Sequence, residues 1–424
     1  MPLLTERRRT MLARICAMLP FSLRQIRAFL AVQEHETVTG AAKSLCRSQT
    51  AVTKSIQDLE RSTGVQLFDR NPKGMSLTAF GEVLLPRAQE AVGAFNDARG
   101  LVPPLSAKHS SGTQRFFNMD VSDRWIAAFL ATADHQNTYA AAASLNISAA
   151  AISSSVRKLE ESLGFSLFQR APNVVTPTTF GRELVRYIKL ALTHLRHAQD
   201  ELLNLKGLRS GRVAIGTLPL LRTMVVPRAI LQMLQDHPYV DVSTTEGHYD
   251  ALIAALRCGD IDFMVGALRD LKEQEELTEE LLFTDHLSVI ARKGHPLSKG
   301  DAPLNWTDLA GYGWVLPRAG TPTRTLFEEA LFRRGLPVPQ HVIETSSLIT
   351  LRGLLLESDR ITVLSHHQIH FDEQYGMLTV LPFDLKEASR PIGITRRVHG
   401  RPSPAAELLM SEIRAVVEEI KATF

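Results

Sequence analysis

Residues 59–72 read LERSTGVQLFDRNP, and residues 159–172 read LEESLGFSLFQRAP. The two segments lie 100 residues apart. Holding that register without gaps, residues 29–81 against 129–181 share 22 identities in 53 positions. Among them are Ala41/Ala141, Ala42/Ala142, Leu45/Leu145, Ser48/Ser148, Leu59/Leu159, Glu60/Glu160, Gly64/Gly164, Phe68/Phe168, Arg70/Arg170 and Gly81/Gly181. One module is present twice. Two copies are too few for a solenoid, whose units need stacked neighbours on both sides.

Each module has the periodicity of three helices and two strands. In the first, Leu23, Ile26, Phe29 and Leu30 repeat at helical spacing. TGAAKSLC (39–46) predicts a short second helix with Thr39 as N-cap and Ala41, Ala42 and Leu45 facing inward. A third helix follows Ser48, another N-cap, with Val52, Ile56 and Leu59 as its inner stripe and Gly64 as its stop. VQLFDRNPKGMSLT (65–78) then reads as two short strands around a turn. Two helices in such quick succession form a helix-turn-helix, and small alanines at the crossing allow their close approach.

The motifs A-A-x-x-L, S-Q-x-A-V, L-E-x-x-x-G-x-x-L-F-x-R and L-T-x-x-G, all present in residues 29–81, resemble those of the LysR-type transcriptional regulators. The second module resembles them with departures. The resemblance implies a winged helix-turn-helix twice over, then a long helix carrying dimer contacts, then an effector domain of two α/β lobes like the type 2 periplasmic binding proteins. The residues agree. Leu184, Ile188, Leu192, Leu195 and Leu202 form an apolar helical stripe suited to pairing with a copy of itself. From Arg212 onward strand and helix patterns alternate, which argues for parallel sheets flanked by helices.

The expected organisation is an N-terminal extension (1–20), a DNA-binding module (21–101), a linker (102–119), a second module (120–181), a linker or dimerisation helix (182–207) and an effector domain (208–424). Lobe I would hold about 211–290 and 391–424, and lobe II about 291–390. The extension has a basic stretch and an apolar run broken by Arg14, so it reads as a basic helix rather than a signal peptide. VPPLSAKHSSGTQ (102–114) has the composition of a linker.

The chain of 424 residues is 44% hydrophobic and 22% charged with a net charge of +3, a profile of globular domains that permits nucleic acid as partner. The cysteines Cys16, Cys46 and Cys258 are scattered and odd in number, which fits reduced thiols. No nucleophile elbow, phosphate loop, paired carboxylates or metal-ligand set is visible, so enzyme, cofactor and metal readings find no support. His366, His367 and His370 lack a matching carboxylate or cysteine cluster and read as a helix face. No run of about 18 apolar residues suggests a membrane span. The expectation is a cytoplasmic, nucleoid-associated bacterial regulator. Its partners would be double-stranded DNA, a small effector, copies of itself as homodimer or homotetramer, and RNA polymerase. The alternative is an architectural DNA-binding protein whose C-terminal domain serves assembly only.

In the first module Ser48, Gln49, Thr50, Thr53 and Lys54 lie on the outward face at the start of the third helix, where amides and hydroxyls reach base edges in a major groove. The resemblance aligns them with base-reading positions, and places Arg70 and Lys73 of the wing near phosphate or the minor groove. In the second module Ser148, Ser153, Arg157 and Arg170 occupy the corresponding region, but Gln49, Thr50 and Lys54 give way to Ala149, Ala150 and Ser154. That module therefore either contacts phosphates at low specificity, or serves as spacer and dimerisation platform, or adds to a composite site.

For the effector, ligands of two-lobed α/β domains sit beyond strand ends and near helix N-termini. Four clusters qualify: Thr217, Leu218 and Pro219; Gly320, Thr321 and Thr323; Ser346 and Ser347; and Ser365. Ordinary helix capping would explain the same residue types. Residues 320–335 and 344–365 resemble the branch of the family named for regulating a galactose-binding protein, which makes a sugar or a small organic acid the expected class.

Overall fold

A computed structural model describes residues 21–72, 74–101, 110–171, 174–208, 210–269, 275–299, 302–385 and 387–423. The N-terminal extension, Lys73 and the first part of the linker lie outside the described residues, as does the Arg170 side chain.

The first module opens with α1 (Leu23–His35), which buries Ile26, Phe29 and Val32. The N-cap of α2 (Val38–Ser44) is Thr37, not Thr39. Thr37 is extended, with φ at −141°, and its hydroxyl accepts the Gly40 N–H at 3.1 Å, whereas Thr39 is already helical. α3 (Gln49–Thr63) starts where the Ser48 hydroxyl accepts the Ala51 N–H at 3.2 Å, a cap worth about 1 kcal/mol. It stops at Gly64, whose φ of 65° suits glycine. The wing is β1 (Phe68–Asn71) paired antiparallel with β2 (Gly74–Leu77).

The repeated segment ties the end of the third helix to the wing in each module. Leu59 is in the core, and Glu60 Oε1 accepts the Leu67 N–H at 2.9 Å, tying the end of α3 to the start of the wing. Glu160 does the same for Leu167 at 2.7 Å.

Helix α4 (Ala79–Arg99) follows the wing. Helix α5 (Ser110–Phe117) lies inside the segment predicted as linker. The linker composition of 102–114 gives way to Phe116 and Phe117, which are buried, with the Phe116 ring 5.7 Å from Phe95 of α4. The second module comprises α6 (Asp123–His135), α7 (Thr138–Leu145), α8 (Ala149–Leu163), β3 (Phe168–Ala171) and β4 (Val174–Pro177). Its anchoring repeats that of the first: Met75 N–H donates to Glu36 O at 2.7 Å, and Val175 N–H to Gln136 O at 3.0 Å.

Helix α9 (Thr179–Leu205) carries the stripe expected to pair with a second chain. That expectation is corrected. Leu184, Ile188, Leu192, Leu195 and Leu202 are buried within the chain, in one core with Leu84, Ala88, Ala91, Phe95 and Ala98 of α4. Burial of apolar surface is non-directional, and α4, carrying an apolar face of its own, is at hand.

The effector domain has β5 (Ser210–Thr217), α10 (Val225–Asp236), β6 (Tyr239–Glu246), α11 (Tyr249–Cys258), β7 (Phe263–Ala267) and the long β8 (Leu277–Arg292). It continues with α12 (Trp306–Ala310), β9 (Trp314–Leu316), α13 (Pro322–Arg333), β10 (Ile343–Glu344), α14 (Leu348–Leu356), β11 (Ile361–Ser365), α15 (His370–Gln374), β12 (Leu378–Val380), β13 (Ser389–Arg397) and α16 (Pro404–Thr423). In lobe I the strands run β8-β13-β7-β5-β6, and in lobe II β10-β9-β11-β8 with β12 on the other side of β8. The sheets are mixed rather than all parallel. β5 is parallel to β6 and β7, but β13 returns from lobe II and lies antiparallel to β7 and β8. β8 changes partner between His286, opposite Ser389 of β13, and Leu287, opposite Ser365 of β11. Each lobe has its own core, with Val213, Phe263 and Ile394 in one and Val289, Trp314 and Phe327 in the other.

Candidate DNA-binding surface and effector cleft

Gln49, Thr50 and Lys54 are exposed on the first turns of α3, and Thr53 is half-buried. Ser48 is exposed too, its oxygen engaged in the cap. A concavity of about 380 Å³ lies between α3 and the wing and brings Thr53 and Arg70 together with Gln57, Gln66 and Asp69. The first module thus presents an amide, hydroxyls and a lysine at a helix N-terminus, with an exposed wing arginine beside them.

The second module repeats the frame and keeps serine hydroxyls, but without the amide and the lysine. Ser148 caps α8 through the Ala151 N–H at 3.2 Å. Ala150 is exposed where Thr50 stands in the first module, and Ser153 is half-buried. Arg157 and Lys158 are exposed, and Arg157 approaches Glu161 at 3.8 Å.

One cluster escaped the sequence. Arg47, immediately before the α3 cap, meets Asp120 at 2.8 Å, Arg24 meets it at 3.0 Å, Arg115 at 3.4 Å and Arg27 at 4.0 Å. Partial burial pushes the Asp120 carboxyl up, but these guanidiniums outweigh that and hold it below the usual carboxylate range. Four cations around one anion leave this flank of α3 positive. The partners lie up to 96 residues apart in the chain (Arg24 to Asp120), so no local pattern announces them.

Of the effector candidates, Thr323 and Ser365 are drawn into one network at the lobe junction. Ser365, buried, donates to Asp285 Oδ1 at 2.5 Å. Arg390 Nε donates to Asp285 Oδ2 at 3.2 Å, and its Nη1 donates to Thr323 Oγ1 at 2.8 Å. Asp285 and Arg390 face each other on β8 and β13 one residue before β8 changes lobe. Neither was predicted. The signal missed is an Asp and an Arg placed opposite by strand pairing, invisible without the register.

The other clusters serve local roles here. Thr217 is buried and its hydroxyl accepts from Arg222 Nε at 3.2 Å. Leu218 N–H pairs with Val265 O at 3.0 Å, and Pro219 is exposed. Gly320 takes φ 77°, and the Thr321 hydroxyl donates to Arg318 O at 2.8 Å. Ser347 caps α14 through the Thr350 N–H at 3.2 Å, beside exposed Ser346.

The helix-turn-helix pair rests on lobe I through α4 and α9. Buried Arg87 donates to Glu201 at 3.0 Å and to Pro402 O at 2.9 Å. His197 meets Asp262 at 3.0 Å, and Thr193 donates to Gly259 O at 3.0 Å. Burial lifts the Asp200 carboxyl to about 6. Burial also pushes the Cys258 thiol up to about 11, which favours its protonated form. His366 lies against Glu373 rather than in a metal set, and none is found among the described residues. Among the described residues no helix is long and apolar enough to cross a membrane.

Comparison with known proteins agrees with this geometry. The profile of the bacterial regulatory helix-turn-helix protein, lysR family, matches twice, at residues 23–82 and 124–182, and that of the LysR substrate binding domain matches residues 206–418. The HTH-type transcriptional regulator GalR of Pseudomonas putida is 36% identical over 94% of this chain and 98% of its own length. The HTH-type transcriptional regulator GbpR of Azospirillum brasilense is 32% identical over 69% of this chain and 85% of its own length. Among solved structures, a full-length OxyR variant from Pseudomonas aeruginosa has a TM-score of 0.53 at 23% identity, covering 69% of this chain and 95% of that one. CbnR, a LysR family transcriptional regulator, has a TM-score of 0.52 at 17% identity, covering 70% and 99%. These two speak for the fold. With both modules and the effector domain matched, the chain belongs to the LysR family of bacterial transcriptional regulators.

Proposed function

We propose that this regulator reads operator DNA through α3 of the first module and responds to a polar small molecule at the junction of lobes I and II. The observation that carries the DNA reading is the exposed set Gln49, Thr50 and Lys54 on the N-terminal turns of a helix-turn-helix recognition helix. Gln49 is suited to adenine, Thr50 to a base edge, and Lys54, Arg70 and Lys73 to guanine or phosphate. Ser148, Ser153, Arg157 and Arg170 are the corresponding contacts of the second module, and these serve the backbone.

At the lobe junction, Thr323, Ser365, Asp285 and Arg390 offer hydroxyls, an anion and a cation within one hydrogen-bonded network. Such a set suits a ligand with hydroxyl or carboxylate groups, a sugar or a small organic acid. A ligand bridging Thr323 on lobe II and Arg390 on the return strand would bias the angle between lobes, and through α9 the placement of the modules on DNA. The site of action is then the bacterial cytoplasm, as homodimer or homotetramer, with RNA polymerase as the recipient of the signal.

Gel-shift titration on DNA upstream of the chain's own gene tests both halves. Sequence-specific binding altered by a sugar or organic acid, lost in Gln49→Ala/Lys54→Ala, is the expected result. Binding that is specific but blind to every such metabolite would favour the architectural role. Binding that shows no sequence preference sinks the recognition-helix assignment.

A further inference from the structure

Helix-turn-helix proteins commonly read two half-sites with two identical chains related by a dyad, which sets the half-sites about one DNA turn apart. Here both modules belong to one polypeptide and share one hydrophobic core. Three observations give their relation the character of a dyad. Leu23 N–H donates to Asp123 Oδ1 at 3.3 Å, and these two residues occupy the same position in the two modules. Equivalent positions meet near the axis of an isologous arrangement, whereas a head-to-tail one keeps them apart.

The equivalent helices α4 and α9 run antiparallel. Arg87 meets Glu201 at 3.0 Å, and about one turn further along α4, Glu90 meets His194, about two turns back along α9, at 3.0 Å. A dyad perpendicular to the helix axes gives that direction, and a simple translation would leave them parallel. Contacts also run in both directions, from non-equivalent donors onto equivalent acceptors. Lys206, after α9 of the second module, donates to Thr63 O at the end of α3, at 2.7 Å. Thr113 of α5, the helix that follows α4, donates to Leu163 O at the end of α8, at 3.1 Å. Thr63 and Leu163 are again equivalent positions.

We infer that one chain is by itself a complete reader of two inverted half-sites, and that its halves are unequal. This rests on α3 being the recognition helix. The apolar faces of α4 and α9 satisfy each other within the chain, so a second chain is not needed to build the paired unit. The first half-site meets Gln49, Thr50 and Lys54. The second meets Ala149, Ala150 and Ser154, which offer little to base edges, flanked by Arg157 and Lys158, which can hold phosphates. The operator unit is then an inverted repeat in geometry and one-sided in sequence.

Selection from random duplex DNA by the full-length protein, followed by hydroxyl-radical footprinting of the selected sites, tests this. The expected result is a motif with one informative half-site, and backbone protection extending one turn further over bases that vary freely. Two equally informative inverted half-sites, or protection confined to one half-site, overturns the inference. Failure to enrich any sequence overturns the recognition-helix reading itself, and the inference with it, so the two failures are distinct. The full-length Ala149→Gln/Ala150→Thr/Ser154→Lys variant restores the missing groups. It is expected to select a symmetric inverted repeat and bind it about tenfold more tightly than the native protein does. A well-folded variant that still selects a one-sided motif would falsify the dyad.

Discussion

Arg87 of α4 holds Glu201 of α9 through Nε at 3.0 Å, and the same guanidinium reaches the backbone of Pro402 at 2.9 Å. One buried cation therefore joins both long helices to lobe I. Removing a single partner of a buried pair leaves the other charge uncompensated, at a cost on the order of 3 kcal/mol. Arg87→Met is expected to lower the urea midpoint accordingly, and adding Glu201→Leu to recover more than half of the loss. A single variant as stable as the native protein would show that the pair contributes nothing.

Gly81 and Gly181 open α4 and α9, where alanine ordinarily favours a helix by about 1 kcal/mol. Here the sign is expected to reverse. A Cβ at Gly81 would lie 2.3 Å from Leu67 O, and one at Gly181 2.1 Å from Leu167 O. The obstacle is backbone of the wing, which cannot rotate away. Gly81→Ala is expected to lower Tm and to weaken DNA binding. An unchanged or raised Tm would contradict this packing.

Asp200 on α9 has its carboxyl lifted by burial to about 6, beside Arg212, His197 and Asp262. A raised folded-state pKa means that the folded protein binds the proton more tightly than the unfolded chain. This group therefore adds stability as pH falls through 6, an increment fully present only below the ordinary carboxylate pKa. At neutral pH the buried charge is a liability. Asp200→Asn removes the titration. Its stability relative to the native protein is expected to be about 1 kcal/mol more favourable at pH 7.5 than at pH 5. Equal differences at both pH values, by urea titration, would rule out the assignment.

The two modules are expected to differ in their response to salt. Gln49→Ala/Lys54→Ala should abolish discrimination between the selected site and unrelated DNA. Arg157→Ala/Lys158→Ala should weaken binding to both alike, reducing the log–log salt slope by about 1 to 2. Equal loss of specificity from both pairs would give the second module a base-reading role.

Much of the local structure was legible. Ser48 and Gly64 bound α3 because a hydroxyl N-cap and a left-handed glycine act within a few residues. The recurrence at 100 residues announced two modules, and the loss of Gln49, Thr50 and Lys54 in the second copy showed their inequality. Thr37 displaced Thr39 as a cap because neighbouring threonines compete and backbone dihedrals decide. Helix α5 escaped because Phe116 and Phe117 are ordered by the Phe95 ring of another helix, not by a pattern of their own.

By itself the sequence determined which faces are apolar, where most helices begin and end, and which module carries Gln49, Thr50 and Lys54. Tertiary structure alone decided what covers those faces. The stripe of α9 demands burial, yet hydrophobic burial names no partner, and the nearest matching surface was α4 of the same chain. It alone decided that Asp285 faces Arg390 across paired strands, since register depends on both strands at once. And it alone brought Leu23 to Asp123, because a dyad is a relation between two bodies that neither body's sequence contains.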